Sequence, residues 1–193
     1  MEYSGTRNIG SIEKKNNKIV PVLINKETYF GTKPKDAVII EGGTYSDLTL
    51  TFHVSRGYDE IGSPYIWIDY IFSWSNCEET DGTLDGWAVN WDTEEAYAQS
   101  SGCDSDMNII EESIGGMGME TDDDNSSGHA WVCLIPRNGD PGSTHGELTQ
   151  NYCHTWGWGA PSVTFTVTLG MVDVSVTNEE SDLYWEKAAR SSY

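Results

Sequence analysis

Basic side chains are scarce in this sequence: 11 lysines and arginines stand against 31 aspartates and glutamates, for a formal net charge of -20. A surface this acidic, with a pI near 4.2, repels phosphate backbones and argues against nucleic acid as a partner. Long apolar runs are missing as well. No segment approaches the ~20 residues that a membrane-spanning helix requires, so no membrane span is expected. No C-x-x-C pair occurs and no histidine stands at finger-like spacing from two cysteines, which argues against structural zinc. The G-x-S-x-G, H-E-x-x-H and Walker patterns are absent too. Gly115-Gly116-Met117-Gly118 is glycine-rich but lacks the spacing and strand-to-helix context of a phosphate loop. The histidines His53, His129, His145 and His154 are scattered, and acids are too abundant for a carboxylate pair to carry meaning. No catalytic residue is assigned, and a non-enzymatic chain is expected.

What the sequence does hold is apolar and aromatic. In 193 residues, 37% are hydrophobic, with 8 Trp and 10 Tyr, enough for one domain to bury a core and to exclude a disordered chain. Leu48–Val54 alternates apolar and polar residues, as does Ser162–Leu169, and Gly170 separates the latter from Met171–Thr177, as in a hairpin or bend. Tyr65–Trp74 is the longest aromatic and β-branched run and reads as a central strand packed on both faces. Ala37–Glu41, Gly86–Trp91 and His129–Ile135 read as further strands. Short helices are expected at Thr93–Gln99, with Asp92 as its cap, and at Ser181–Arg190. The sum is an all-β chain: a single antiparallel β-sandwich, jelly-roll-like in one version, with short helical turns and a basic N-terminal arm.

That arm is set apart by charge. Residues 1–35 hold seven basic and three acidic side chains, whereas residues 36–193 hold 28 acidic and four basic ones. Opposite charge favours docking of the arm on the acidic body, either its own or a neighbour's. Within the arm, Ile19, Val20, Val22, Leu23 and Ile24 form an apolar segment of strand length around Pro21. Such a segment can complete an open sheet in another copy, and head-to-tail contacts of that kind build filaments. Docking in cis and exchange in trans both remain open.

Cys77, Cys103, Cys133 and Cys153 form an even set in a loop-rich acidic chain, which reads as two disulfides and an oxidising compartment. Three pairings are open; Cys77–Cys103 with Cys133–Cys153 closes the shortest loops. Four free thiols in a cytosolic protein are the alternative. Met1-Glu2-Tyr3-Ser4-Gly5 has neither a basic nor an apolar signal-peptide region, so secretion implies numbering from a mature chain. Asn125-Ser126-Ser127 is a formal glycosylation sequon.

Two kinds of ligand follow from the remaining residues. The acidic loops offer hard oxygen donors for calcium, with Asp81, Asp85, Asp104 and Asp106 the first candidates; a solvated acidic surface is the alternative. Trp156 and Trp158, set between glycines, would offer flat indole faces to a glycan if they lie in an exposed loop; otherwise they are core residues.

Phe72-Ser73-Trp74-Ser75-Asn76, the run from Asp85 to Asp92, and His154-Thr155-Trp156 ahead of the alternating Val/Thr segment resemble uncharacterised secreted proteins of haloarchaea and some bacteria. The resemblance covers residues 45–185 and implies an acidic, β-rich extracytoplasmic protein; it transfers no catalytic residue. Together these features lead to a non-enzymatic extracellular structural protein, a surface or filament-forming subunit that partners with itself. A carbohydrate-binding module is the alternative, and a small secreted hydrolase the third reading.

Overall fold

The computed structural model describes residues 46–75, 84–122, 125–156, 162–177 and 184–193 in full, together with the backbone of five short strands between residues 9 and 31. These are β1 (Ile9–Gly10), β2 (Glu13–Lys15), β3 (Lys18–Val20), β4 (Ile24–Asn25) and β5 (Thr28–Gly31). The body follows with β6 (Leu48–Tyr58), β7 (Pro64–Trp74), β8 (Asp85–Trp91), β9 (Ala96–Cys103), β10 (Asn108–Ser113) and β11 (Gly116–Thr121). The last five strands are β12 (Ser127–Pro136), β13 (Glu147–Thr155), β14 (Val163–Thr168), β15 (Met171–Val176) and β16 (Tyr184–Ser192). Every pairing among the described strands is antiparallel.

The protein is an all-β sandwich. A four-stranded sheet in the order β6-β7-β12-β9 packs on a six-stranded sheet in the order β10-β11-β8-β13-β16-β5. Alternation along each strand decides which side chains meet between them. Leu48, Leu50, Phe52 and Val54 of β6 point inward with Ile66, Ile68, Tyr70, Phe72 and Trp74 of β7. Opposite them lie Trp87, Val89 and Trp91 of β8, Met117 and Met119 of β11, Tyr152 of β13 and Trp185 of β16. Each large side chain removed from water contributes about 1.5–3 kcal/mol. Lys187, 7% exposed, ties the sheets together by donating its ammonium to the Leu48 carbonyl.

A third layer lies outside the six-stranded sheet. The β14–β15 hairpin brings Val163, Val172, Val174 and Val176 onto Ala88 and Cys153. Small residues beneath it permit this close approach: a Cβ at Gly86 would sit 2.5 Å from Val174, and one at Gly118 would sit 2.4 Å from Phe165. The hairpin is also clamped by one amide. Asn90 Oδ1 accepts the Val172 N–H at 2.6 Å and Asn90 Nδ2 donates to the Val172 carbonyl at 2.9 Å, as a neighbouring strand would. The strand covered on both faces is therefore β8, every residue of which is buried. In β7, by contrast, only the inward set is buried and the alternate residues keep partial exposure.

Neither expected helix forms among the described residues, which continue from both positions as strands. Ala96–Cys103 pairs with β12, and Tyr184–Ser192 pairs with β13 over nine residues. The Glu-Lys-Ala-Ala-Arg stretch favours a helix by at most ~0.7 kcal/mol per residue. Alternating burial of Trp185, Lys187 and Ala189 in β16 outweighs that. Among the described residues there is no helix, and hence none long and apolar enough to cross a membrane.

The cysteines also depart from expectation. Cys103, Cys133 and Cys153 are free thiols, and Cys77 lies outside the described residues. The Cys133–Cys153 bridge fails for a topological reason. Cys133 faces outward on β12, whereas Cys153 faces outward on β13 beneath the hairpin, so the whole core separates them.

Candidate functional site

Core packing explains the inward residues of β7 and leaves Trp67, Asp69 and Ile71 on the opposite, open face of the four-stranded sheet. The register aligns His53 of β6, Asp69 of β7, Trp131 of β12 and Gly102 of β9 in one row across that face. Ser55, Trp67, Cys133 and Ser100 form the adjacent row. Trp67 and Trp131 stack on the diagonal between the two rows, with centroids 4.7 Å apart and planes inclined by 12°. Gly102 makes room for the pair, since a Cβ there would lie 2.9 Å from the Trp131 ring.

Asp69 organises the polar half of the face. Its Oδ1 accepts a hydrogen bond from Trp67 Nε1 at 2.7 Å and contacts His129 Nε2 at 2.8 Å. Across the imidazole, His129 Nδ1 lies 3.6 Å from Asp104 Oδ1, while Asp104 Oδ2 accepts the His129 backbone N–H at 3.0 Å. The side chains of His129, Asp69 and Asp104 are 37%, 24% and 47% exposed, so all three meet solvent. No lysine or arginine stands in these rows. These two rows thus combine a fixed aromatic stack with hydrogen-bonding groups and carry no cation, while Arg137 lies over the Tyr97 ring farther along β9. Apolar ring faces stack on indoles while hydroxyls bond to the carboxylates and imidazole.

The same face offers no activated nucleophile among the described residues. Burial pushes the Cys133 thiol up. Cys103, which packs against the core from the other side of the sheet, is also raised by burial, with the Asp104 and Asp106 carboxylates adding to the shift. A thiol held protonated is a weak nucleophile and a weak metal ligand.

A second polar constellation is buried between the sheets. Asp85 Oδ2 accepts from Tyr152 Oη at 2.7 Å and from His154 Nδ1 at 2.8 Å, and Asp85 Oδ1 accepts the Thr155 N–H at 2.8 Å. The register of β8 and β13 produces this, because the Tyr152–Trp87 pairing brings His154 beside Asp85. Trp74, Trp156 and Trp185 surround the imidazole at 5.0–5.4 Å. Nothing reaches it from solvent: the Asp85 and His154 side chains are 1% and 3% exposed.

The expected ligand residues therefore scatter. Asp85 is an interior acceptor with its lone pairs occupied, not a loop ligand. Asp104 and Asp106 sit on the exposed turn between β9 and β10, and Asp81 lies outside the described residues. No group of three His, Cys, Asp or Glu side chains suited to a metal ion occurs among the described residues. Trp156 is 6% exposed and stacks on His154, so its indole is a core element and presents no face to a sugar; Trp158 lies outside the described residues. Of the arm segment, Ile19 and Val20 lie in β3, paired with β2, and Ile24 lies in β4, paired with β1. Val22 and Leu23 lie outside the described residues, and farther along the arm β5 pairs with β16.

Sequence reasoning missed Trp67, Asp69, His129 and Trp131 as one face. The available signal was Asp69, a charge in the middle of an aromatic strand, together with the His129-x-Trp131-x-Cys133 alternation. Comparison with family models and with curated proteins finds no match to this chain.

Proposed function

We propose that the protein is a non-enzymatic extracellular binding module that holds a neutral saccharide on the open face of its four-stranded sheet. The observation that carries this reading is the Trp67–Trp131 stack beside the hydrogen-bonded Asp69 and His129. Ring faces of a pyranose lie against the indoles, and its hydroxyls bond to Asp69, His129 and His53. The absence of a cation from these rows, on a chain of net charge -20, disfavours sulfated or phosphorylated sugars. The extracellular setting rests on the acidic surface and on the resemblance to secreted proteins, since the described cysteines contribute no disulfide. The weight thus moves from an assembling subunit, of whose arm only strand backbone is described, to a carbohydrate-binding module.

A glycan array followed by tryptophan-fluorescence titration tests the proposal. Neutral oligosaccharides are expected to quench or shift the emission. Trp67→Ala or Trp131→Ala is expected to weaken binding at least ~10-fold, as removal of a central aromatic anchor does. A blank array, or unchanged affinity in both variants, would refute it.

A further inference from the structure

The tip of the β14–β15 hairpin presents a combination that folding alone does not favour. Thr168 and Met171 close a two-residue turn whose central residues, Leu169 and Gly170, have φ of 53° and 85°. Positive φ at both positions defines a type I′ turn, whose first central residue is ordinarily Asn, Asp or Gly. Leucine there places its Cβ in the left-handed region, which is costly, and its side chain is 96% exposed. A strained backbone and a bare apolar side chain thus coincide at one residue.

The tip does not stand alone. The Gly170 carbonyl accepts hydrogen bonds from Gly115 N–H at 3.0 Å and from Ser113 Oγ, which joins it to the β10–β11 turn. That turn is fixed in its own right: Trp91 donates its indole N–H to the Ile114 carbonyl at 3.0 Å and its backbone N–H to the Gly115 carbonyl at 2.9 Å. Ile114 packs beside Gly170 yet remains 73% exposed, and Met171 is 53% exposed. Two rigid turns therefore hold Ile114, Leu169 and Met171 outward together. No charged residue occurs in 113–119 or 162–172. The nearest acids along the two hairpins are Glu112, which accepts from Ser101 Oγ at 2.9 Å, and Asp173.

We infer that this tip is an anchor that inserts into the surface of a zwitterionic lipid bilayer. Three protruding side chains fall well short of the ~800 Å² per partner that a specific protein interface buries. Insertion into acyl chains needs no such complementary area, since lipid conforms to a convex apolar tip and admits it to a depth of ~5–10 Å. Charge points the same way. A protein of net charge -20 is repelled by anionic surfaces, and its charge-free tip is suited to approach an uncharged one.

Flotation of the full chain with phosphatidylcholine vesicles tests the inference. The wild-type protein is expected to float at millimolar lipid, and less so as anionic lipid is added. Leu169→Asn supplies the residue the turn prefers, so it is expected to raise the melting temperature by roughly 1–4 °C while lowering partitioning tenfold or more. Ile114→Ser should lower partitioning as well. The inference is overturned if the wild type stays in solution, or if Leu169→Asn floats equally well. It is also overturned if sedimentation shows a dimer that Leu169→Asn dissolves, which would assign the tip to a second copy.

Discussion

Asp85→Ala is expected to destabilise the fold by about 4 kcal/mol, measured by urea unfolding. The carboxylate is the common acceptor for Tyr152 Oη, His154 Nδ1 and the Thr155 N–H. With Asp85 1% exposed, water cannot replace it. Each donor orphaned in such a place costs about 1–3 kcal/mol, and the three costs overlap as neighbours relax. Tyr152→Phe removes one donor and leaves Asp85 two, so it is expected to cost only about 1 kcal/mol. The large gap between the two variants is the discriminating result. An Asp85→Ala protein within 1 kcal/mol of wild type would mean that the constellation is not an acceptor-centred network.

The second large effect concerns size. Gly128 of β12 lies opposite Phe72 of β7, and a Cβ at Gly128 would sit 2.2 Å from Phe72 Cε1. Phe72 cannot simply turn aside, because its ring packs edge-on to Trp87 at 5.0 Å and against Tyr152 at 4.9 Å. Gly128→Ala is expected to cost about 3 kcal/mol by overpacking. Phe72→Ala is expected to cost about 3–5 kcal/mol through the cavity it leaves. Phe72→Leu with Gly128→Ala should cost at least ~1 kcal/mol less than the sum of those two changes made singly. Simple additivity in that cycle would show that the glycine is not conserving space for the ring.

Sheet architecture was legible wherever one face is buried and the other wet. Leu48–Val54 alternates in sequence and in burial, whereas His129–Ile135, read only as a strand, alternates in burial alone. Legibility failed where a tertiary partner changes what a strand needs. Nothing within Asp85–Trp91 announces that a hairpin from residues 163–176 will cover its second face, so double burial was assigned to β7 instead. The same assumption hid the open face, since a strand packed on both sides has no place for Trp67 and Asp69 to meet solvent. Trp156 failed in the opposite direction. Glycine neighbours suggested an exposed loop, but continuation of β13 carries the indole onto His154. The Glu-Lys-Ala-Ala-Arg stretch of β16 was read by intrinsic preference, and its pairing with Thr149–Cys153, 33 to 41 positions earlier, is a contact no local window contains.

The Asn90 clamp gives the molecule a built-in stopwatch. Cys153 is fully buried beneath the hairpin, and its thiol is pushed up by burial, with the Glu186 and Asp85 carboxylates adding to the rise. An alkylating reagent meets that sulfur only during the moments when β14 and β15 swing off β8. When reclosing outruns alkylation, the modification rate is the reagent's intrinsic rate multiplied by the fraction of time the flap stands open. Cys133, half-buried on the outer face of the other sheet, needs no such lifting and supplies a second thiol for comparison on the same chain. The urea dependence of the Cys153 rate then separates local lifting of a single layer from global unfolding, without any engineered label.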